Sequence, residues 1–539
     1  MDDDARYRAL TTHDRRFDGV FFVGVSTTGI YCRPICPART PRRDRVTFYA
    51  TAAQAEAAGY RACLRCRPEV APRDIAEVDA VDTLVATALR RIHEGALNER
   101  SVETLAAELG VSARHLRRAT EARLGVTPVD LAQSRRLALA KQLLHDTRLS
   151  LSQIAFAAGF GSVRRFNAVF RARTGKAPSE IRRSVTAEAG AVVLRLDYRP
   201  PYAWAELLAF LRARAIPGVE AVSETSYARV VHVGGATGTL VVTHLPARHA
   251  IEVALSPQLL GALMPLVARV RRAFDLDARP DVIAAALSDD PLLASRVAAR
   301  PGLRVPGAID GFEAAVRALL GQQVSVAAAT TLAGRFAAAF GTPYIDRSGF
   351  AGPRSVAEGR CGADDATYPE LRVRFPTAAE VARVRPGDIA AIGMPGARGA
   401  AIHALATAVA AGTIALDGVD LDAFVSAIVA LPGIGPWTAH YLAMRALHLP
   451  DAFPAADLGV LKALGGTPRD AEARAAAWRP FRAYAVIHLW TGGAHASEAG
   501  NLDARRADDP RVGRSRAGAR RADPAGSRAA RGPRRRRAA

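Results

Sequence analysis

The sequence predicts a multidomain protein: a small metal-bound α/β module, an all-α tandem helix-turn-helix segment, an α+β domain on an antiparallel sheet, a second all-α domain and a disordered basic tail. Three observations predict this. The chain has 539 residues, more than one hydrophobic core accommodates, since single cores stop growing at roughly 250–300 residues. Four of its five cysteines, Cys32, Cys36, Cys63 and Cys66, form two short-spaced pairs. The hydrophobic period also changes along the chain, from helical to two-residue alternation and back. A composition of 49% hydrophobic and 23% charged residues supplies material for real cores and excludes wholesale disorder.

Residues 1–75 read as a loop-rich unit whose one apolar run, Val20-Phe21-Phe22-Val23-Gly24-Val25, suits a buried strand. With no export signal in the acidic start Met1-Asp2-Asp3-Asp4, the cysteine pairs, spaced C-x3-C and C-x2-C, are metal ligands in preference to disulfides. Four thiolates at the corners of a tetrahedron suit one Zn2+, and so small a unit needs such a staple. By spacing alone a purely structural zinc knot fits as well.

Helical periodicity governs 80–184, and it contains a repeat. Leu105–Ser112 and Ile154–Gly161 each place a small residue and then a glycine where two helices turn against each other. Each is followed by a basic helix and a Gly-x-x-Pro, at 125–128 and 175–178. Two helix-turn-helix units in tandem follow, with Arg114, Arg117 and Arg118 on one recognition helix and Arg164, Arg165 and Arg171 on the other. Residues 190–300 alternate with period two over 192–198, 227–233, 238–244 and 251–255, which predicts the antiparallel sheet. Residues 301–497 are helical and Ala-rich, and 498–539 are Arg, Ala, Gly, Pro and Asp with almost no apolar anchor, hence expected to be disordered.

The net charge of +21 is unevenly spread. Residues 101–183 hold 13 Arg and 2 Lys against 6 acids, and 501–539 hold 13 Arg against 4 Asp. Basic surplus in a folded segment favours a polyanionic partner, because neutralising phosphates releases counterions. In the tail the surplus also reflects a chain in which Arg has displaced Lys, leaving only Lys141, Lys176 and Lys462.

Gly29-Ile30-Tyr31-Cys32-Arg33-Pro34-Ile35-Cys36-Pro37-Ala38-Arg39, with Gly59-Tyr60-Arg61-Ala62-Cys63-Leu64-Arg65-Cys66-Arg67-Pro68, resembles the N-terminal domain of the Ada adaptive-response protein. The one departure, Ile35, leaves the ligand set intact. The resemblance implies that Cys32 accepts a methyl group from a DNA methyl phosphotriester, with Cys36, Cys63 and Cys66 as the other zinc ligands. Residues 85–183 resemble the AraC-type transcription-factor domain, most specifically at Gly159-Phe160-x-Ser162-x3-Phe166-x3-Phe170-Arg171 and Gly175-x2-Pro178. That implies promoter DNA, and RNA polymerase, as partners.

In the second half, Leu431-Pro432-Gly433-Ile434-Gly435-Pro436-Trp437-Thr438-Ala439 has the glycine spacing of a helix-hairpin-helix, which brings backbone amides close to a DNA phosphate. Phe453-Pro454-Ala455-Ala456-Asp457-Leu458-Gly459 then places a carboxylate where, read alone, it is a helix N-cap. A cap alone would be served almost as well by Asn, leaving activity and melting temperature unchanged. Together with Pro200-Pro201-Tyr202-x-Trp204, Arg300–Gly307, Leu320–Val326 and Phe481-Arg482-x-Tyr484-Ala485-x2-His488-Leu489-Trp490, these motifs resemble AlkA-type 3-methyladenine DNA glycosylase II over 190–495.

That resemblance implies Asp457 as the catalytic carboxylate, a base pocket of Trp437, Tyr441 and Trp490, and Gln322-Gln323 at the gap left by a flipped nucleotide, where some relatives place a bulky aliphatic side chain. Trp437 occupies the position where strand-cutting members carry a lysine, so a monofunctional hydrolase is expected. Only Cys361 lies in this domain, so the iron–sulfur cluster of some members is not expected. The O6-alkylguanine acceptor motif Pro-Cys-His-Arg is not found. The expected function is the adaptive response to DNA alkylation in the bacterial cytoplasm, at the nucleoid, on double-stranded DNA and without a membrane partner. The competing reading is a DNA-binding regulator with a structural zinc site and an inactive glycosylase scaffold.

Overall fold

In the N-terminal module four strands, β1 (Phe22–Val25), β2 (Ile30–Cys32), β3 (Val46–Tyr49) and β4 (Arg61–Ala62), lie in the order β3-β1-β2-β4. The run read as a buried strand is β1, which pairs antiparallel with both β2 and β3. Its Val23 is fully buried. The pairing that matters is the parallel one. β2 and β4 run side by side with Tyr31 opposite Ala62, so Cys32 and Cys63 leave the same end of the sheet together. The computed structural model describes residues 1–73, 83–182, 192–346, 368–417 and 420–492.

The tandem units are the helices Val102–Glu108 and Ala113–Leu124, then Leu151–Ala157 and Val163–Thr174, joined by the long helix Pro128–Asp146. Ser101, Ser112, Thr127, Ser150 and Ser162 cap their N-termini through side-chain oxygens. Both basic helices run to Gly125 and Gly175, which stop them in the left-handed conformation at φ +65° and +71°. Leu116, Phe166 and Phe170 are fully buried beneath them.

The sheet domain has five antiparallel strands in the order β5-β9-β8-β7-β6. They are β5 (Val192–Asp197), β6 (Glu220–Val222), β7 (Ser226–Val233), β8 (Ala236–Leu245) and β9 (Ala250–Leu255). Four of these match the alternating runs. The three-residue β6 at the edge is too short to carry a period. One face packs Leu194, Tyr227, Val231, Val242 and Ile251 into a core shared with Leu137, Leu143, Phe160, Phe166 and Phe170. The second helix-turn-helix unit and the sheet therefore bury their apolar faces against each other. The opposite face buries Ala228, Val230, Val241 and Ala254 with Leu371.

Polar contacts continue this seam. Arg33, 2% exposed, pairs with Asp18 and reaches Asp197 on β5 at 2.9 Å. Arg199, fully buried, donates to the carbonyls of Asp18 at 2.9 Å and Asp277 at 2.7 Å. The helical domain includes Gly311–Leu320, Val326–Phe340, Gly396–Ala410, Leu421–Val429, Pro436–Arg445, Leu458–Leu464 and Arg482–Gly492 around one large apolar core. The tail expected at 498–539 and Cys361 lie outside the described residues.

Candidate functional site

The parallel register of β2 and β4 brings the four thiols together. Cys32, Cys36, Cys63 and Cys66 place all four sulfurs within 4.8 Å of one another. The chain turns tightly after each strand: Cys36 N–H donates to the Arg33 carbonyl at 3.1 Å and Arg67 N–H to the Cys63 carbonyl at 3.1 Å. Tetrahedral zinc with bonds near 2.3 Å separates its sulfurs by about 3.8 Å, and Cys36 and Cys63 Sγ are 3.9 Å apart. Hydrogen bonding to Cys32 lowers the Cys36 thiol to about 7. Bonds from Cys32 and Cys36 push Cys66 up, because so tight a set resists ionising together without a dication. The donor set fits zinc.

Cys36, Cys63 and Cys66 are buried, and only Cys32 is partly exposed. It faces a cleft of about 590 Å³ flanked by Arg39, Arg61, Arg65, Lys141 and Lys176. The sequence reading had not assigned these cations to the site. One signal was available: in a chain that uses Arg almost everywhere, two of its three lysines face this cleft. They come from the helix-turn-helix segment, so the wall opposite the cysteines belongs to a different module.

On the recognition helices, Arg114, Arg117, Arg118, Arg164, Arg165 and Arg171 are all exposed. They are not equivalent. Arg117 pairs with Glu103 at 2.6 Å and Arg118 lies 3.4 Å from His115 Nδ1. Arg114, Arg164, Arg165 and Arg171 have no ion pair among the described residues.

In the helical domain, Asp457 caps Leu458–Leu464: its Oδ1 accepts from Gly459 N–H at 2.9 Å and Val460 N–H at 3.1 Å. The same carboxylate holds two indoles. Trp490 Nε1 donates to Oδ1 at 2.8 Å and Trp437 Nε1 to Oδ2 at 3.1 Å. The helix cap and the anchor of two indoles are one side chain. Trp437 stacks on Tyr441 with ring centroids 5.4 Å apart, and Tyr441 lies 6.3 Å from Trp490. The structure thus brings together Asp457, Trp437, Tyr441 and Trp490.

It adds Phe210, from the helix Trp204–Arg212 of the sheet domain, stacked on Trp490 at 6.4 Å with 7° between planes. Behind this wall the guanidinium of Arg214 lies 3.8 Å and that of Arg445 4.6 Å from the Phe210 centroid. Arg445 also donates to the Tyr441 hydroxyl at 3.1 Å. No local pattern marks Phe210, which reaches the pocket only because two domains pack.

The hairpin glycines serve different ends. Gly433 sits at φ +78°, and a Cβ there would meet Ala401 at 2.8 Å. Gly435 has extended backbone and open space around it, so nothing inside the protein demands glycine there. Its bare backbone faces outward at the start of the helix Pro436–Arg445. The two glutamines also separate. Gln322 donates to the Gly433 carbonyl at 3.0 Å and to Thr438 Oγ1 at 3.2 Å, tying its loop to the hairpin. Gln323 is exposed at φ +57°.

Comparison with known proteins agrees with this architecture. Residues 5–69 match the metal binding domain of Ada, 105–184 a helix-turn-helix domain, 193–310 the AlkA N-terminal domain, and 316–481 the HhH-GPD superfamily of base excision DNA repair proteins. The "probable bifunctional transcriptional activator/DNA repair enzyme AlkA" of Mycobacterium tuberculosis is 41% identical over 498 residues, spanning 90% of this chain and 95% of that one. "DNA-3-methyladenine glycosylase 2" of Escherichia coli is 37% identical over 300 residues, 55% of this chain and 95% of that one. The "bifunctional transcriptional activator/DNA repair enzyme Ada" of Escherichia coli is 38% identical over 128 residues, 24% of this chain and 34% of that one. Fold and sites together define an Ada-type regulator fused to a DNA glycosylase. The chain belongs to the family of bifunctional transcriptional activator/DNA repair enzymes AlkA.

Proposed function

We propose that the helical half hydrolyses the N-glycosidic bond of N-alkylated purines, 3-methyladenine among them, in duplex DNA, and that Cys32 accepts the methyl group of a methyl phosphotriester. The convergence of two indoles and two backbone amides on Asp457 carries the first part. N-alkylation makes the base cationic, so it leaves neutral with the bond's electron pair and needs little acid assistance. Trp437, Tyr441, Trp490 and Phe210 offer electron-rich faces to the flipped cationic base. Asp457, fixed by its four donors, stabilises positive charge developing at C1′ and orients the attacking water. Gly433 and Gly435 hold the backbone phosphate, and Gln323 fills the gap in the duplex.

At the cluster, zinc bound by four thiolates would leave the site doubly negative and its sulfurs electron-rich. Cys36 and Cys63 also line the cleft, but they are buried, and Cys32 is the most exposed of the four ligands. Its sulfur bonds to the methyl carbon as the methyl–oxygen bond breaks, and a phosphodiester departs. Nothing in the described residues removes a thioether methyl, so the acceptor acts once. The lost negative charge would lower repulsion of DNA and favour promoter binding through Arg114, Arg117, Arg118, Arg164, Arg165 and Arg171, with RNA polymerase as the downstream partner.

Incubation with methylated duplex tests both halves. Release of 3-methyladenine without strand cleavage, and a single methyl on Cys32 by peptide mapping, are the expected results. A methyl on Cys36, Cys63 or Cys66 would refute the acceptor assignment. No base release from a zinc-loaded, folded protein would leave the regulator-with-scaffold reading.

A further inference from the structure

Where the zinc module and the helix-turn-helix segment meet beside the sheet domain, cations gather with too few carboxylates among the described residues. Arg73 follows the last turn of the zinc module. His93 ends the helix Thr83–His93, and Arg135 lies in Pro128–Asp146. All three line one cavity of about 150 Å³. Arg271, on the helix Leu263–Ala273 of the sheet domain, stands beside them but is neutralised by Asp277. Asp277 is further engaged by the Arg73 backbone N–H at 2.8 Å.

The other charges on the cavity wall are also spent. Glu69 pairs with Arg67 at 3.0 Å and Lys141 with Glu56 at 3.5 Å. Arg73 Nη2, Arg135 Nε and Nη2, and His93 Nδ1 remain buried with no hydrogen-bond partner among the described residues. The three residues are half-buried as a whole, but buried polar atoms are nearly always paired, and unpartnered donors on charged groups are costly exceptions. The mutual strain shows in the side chains: burial, then the charge of Arg271, lowers Arg135 to about 10. Burial, then Arg73 and Arg135, holds His93 well below the usual imidazole range.

We propose that this cavity binds a small tetrahedral oxyanion of the phosphate class, gripped by Arg73, His93 and Arg135 at the seam of the zinc module and the helix-turn-helix segment. Two guanidinium forks and an imidazole approaching from different elements match an anion with several acceptor oxygens. The site shares only Lys141 with the cysteine cleft and no residue with the Asp457 pocket, and an anion there would tie the two modules together.

The test uses the full zinc-loaded chain, titrated with inorganic phosphate against chloride at constant ionic strength. Melting temperature and 31P line broadening are the readouts. A saturable upward shift in the low millimolar range is expected, weakened by about tenfold or more in Arg135→Leu and Arg73→Gln. Arg385→Ala, at an exposed arginine of the helical domain, keeps the shift. Adenosine monophosphate in parallel separates a free oxyanion from a nucleotide's phosphate, and an Arg135-dependent effect of either supports the site. Three results would overturn it: no saturable effect in the wild-type chain, an effect that survives both substitutions, or one that appears only when Asp74, Glu77, Asp79 and Asp82 are replaced by their amides. In that last case the chain's own acids occupy the cations.

Discussion

The cysteine cluster and the Asp457 pocket make opposite demands on the chain. The first draws its four ligands from residues 32–66 and needs one strand pairing to assemble them. The second draws Phe210, Trp437, Tyr441, Asp457 and Trp490 from two domains and closes only when their cores are packed. A metal site is specified by ligand type and spacing, because coordination geometry is short-ranged and fixed. A carboxylate's role is specified by what surrounds it, and those surroundings come from distant segments.

Metal removal should separate the two sites most sharply. Chelation, or Cys63→Ser, is expected to abolish methyl acceptance and unfold the N-terminal module, since a unit this small folds on its metal. Base excision should persist, because no part of the pocket comes from that module. Loss of both activities together, followed by circular dichroism and excision assays, would show that the comparison fails and the two halves fold as one.

The seam gives the next largest effect. Arg33→Met removes one cation between Asp18 and Asp197, leaving buried Asp18 unpaired and Asp197 with Arg195 alone, a destabilisation of about 3–5 kcal/mol in denaturant melts. Arg33 neighbours Cys32 but reaches the sheet of the glycosylase half. A fall in the stability of that half, read by excision after mild heating, would show the seam transmitting between them.

Asp457→Asn should lower excision by about 10² or more, roughly 3 kcal/mol. The structure changes what else it does. Both carboxylate oxygens accept hydrogen bonds, so Asn can serve the cap and Trp490 through its carbonyl only by turning its amide N–H2 toward the Trp437 N–H. Stability should then drop by about 1–3 kcal/mol, where the cap alone would leave it unchanged. Adding Trp437→Phe removes the opposed donor. The double variant should recover melting temperature without recovering excision, and recovery of both would reduce Asp457 to a structural cap.

The smallest effect concerns DNA affinity. Arg165→Ala is expected to weaken promoter binding and reduce its salt slope by about 0.9. Arg117→Ala, already paired with Glu103, should change the slope less. Equal slopes in fluorescence-anisotropy titrations would remove the distinction drawn among the recognition-helix arginines.

Much of this molecule was legible in its residues. The cysteine spacing marked the metal site, the alternating runs marked four of the five sheet strands, and the repeated small residue and glycine marked both helix-turn-helix units. These signals are local: ligand spacing, strand and helix periods, and caps arise from neighbours within a few turns of chain. Three things were decided only by tertiary structure. The helix-turn-helix core and the sheet core are continuous, which their differing periods conceal, because each element shows only that it has an apolar face and not what covers it. Phe210 joins the aromatic cluster around Asp457, and Lys141 and Lys176 the cleft at Cys32, across module boundaries that no sequence interval encodes. Asp457 is at once a cap and the anchor of two indoles, since a helix N-cap is visible in sequence while the direction from which Trp437 and Trp490 approach it is set by how the helices pack.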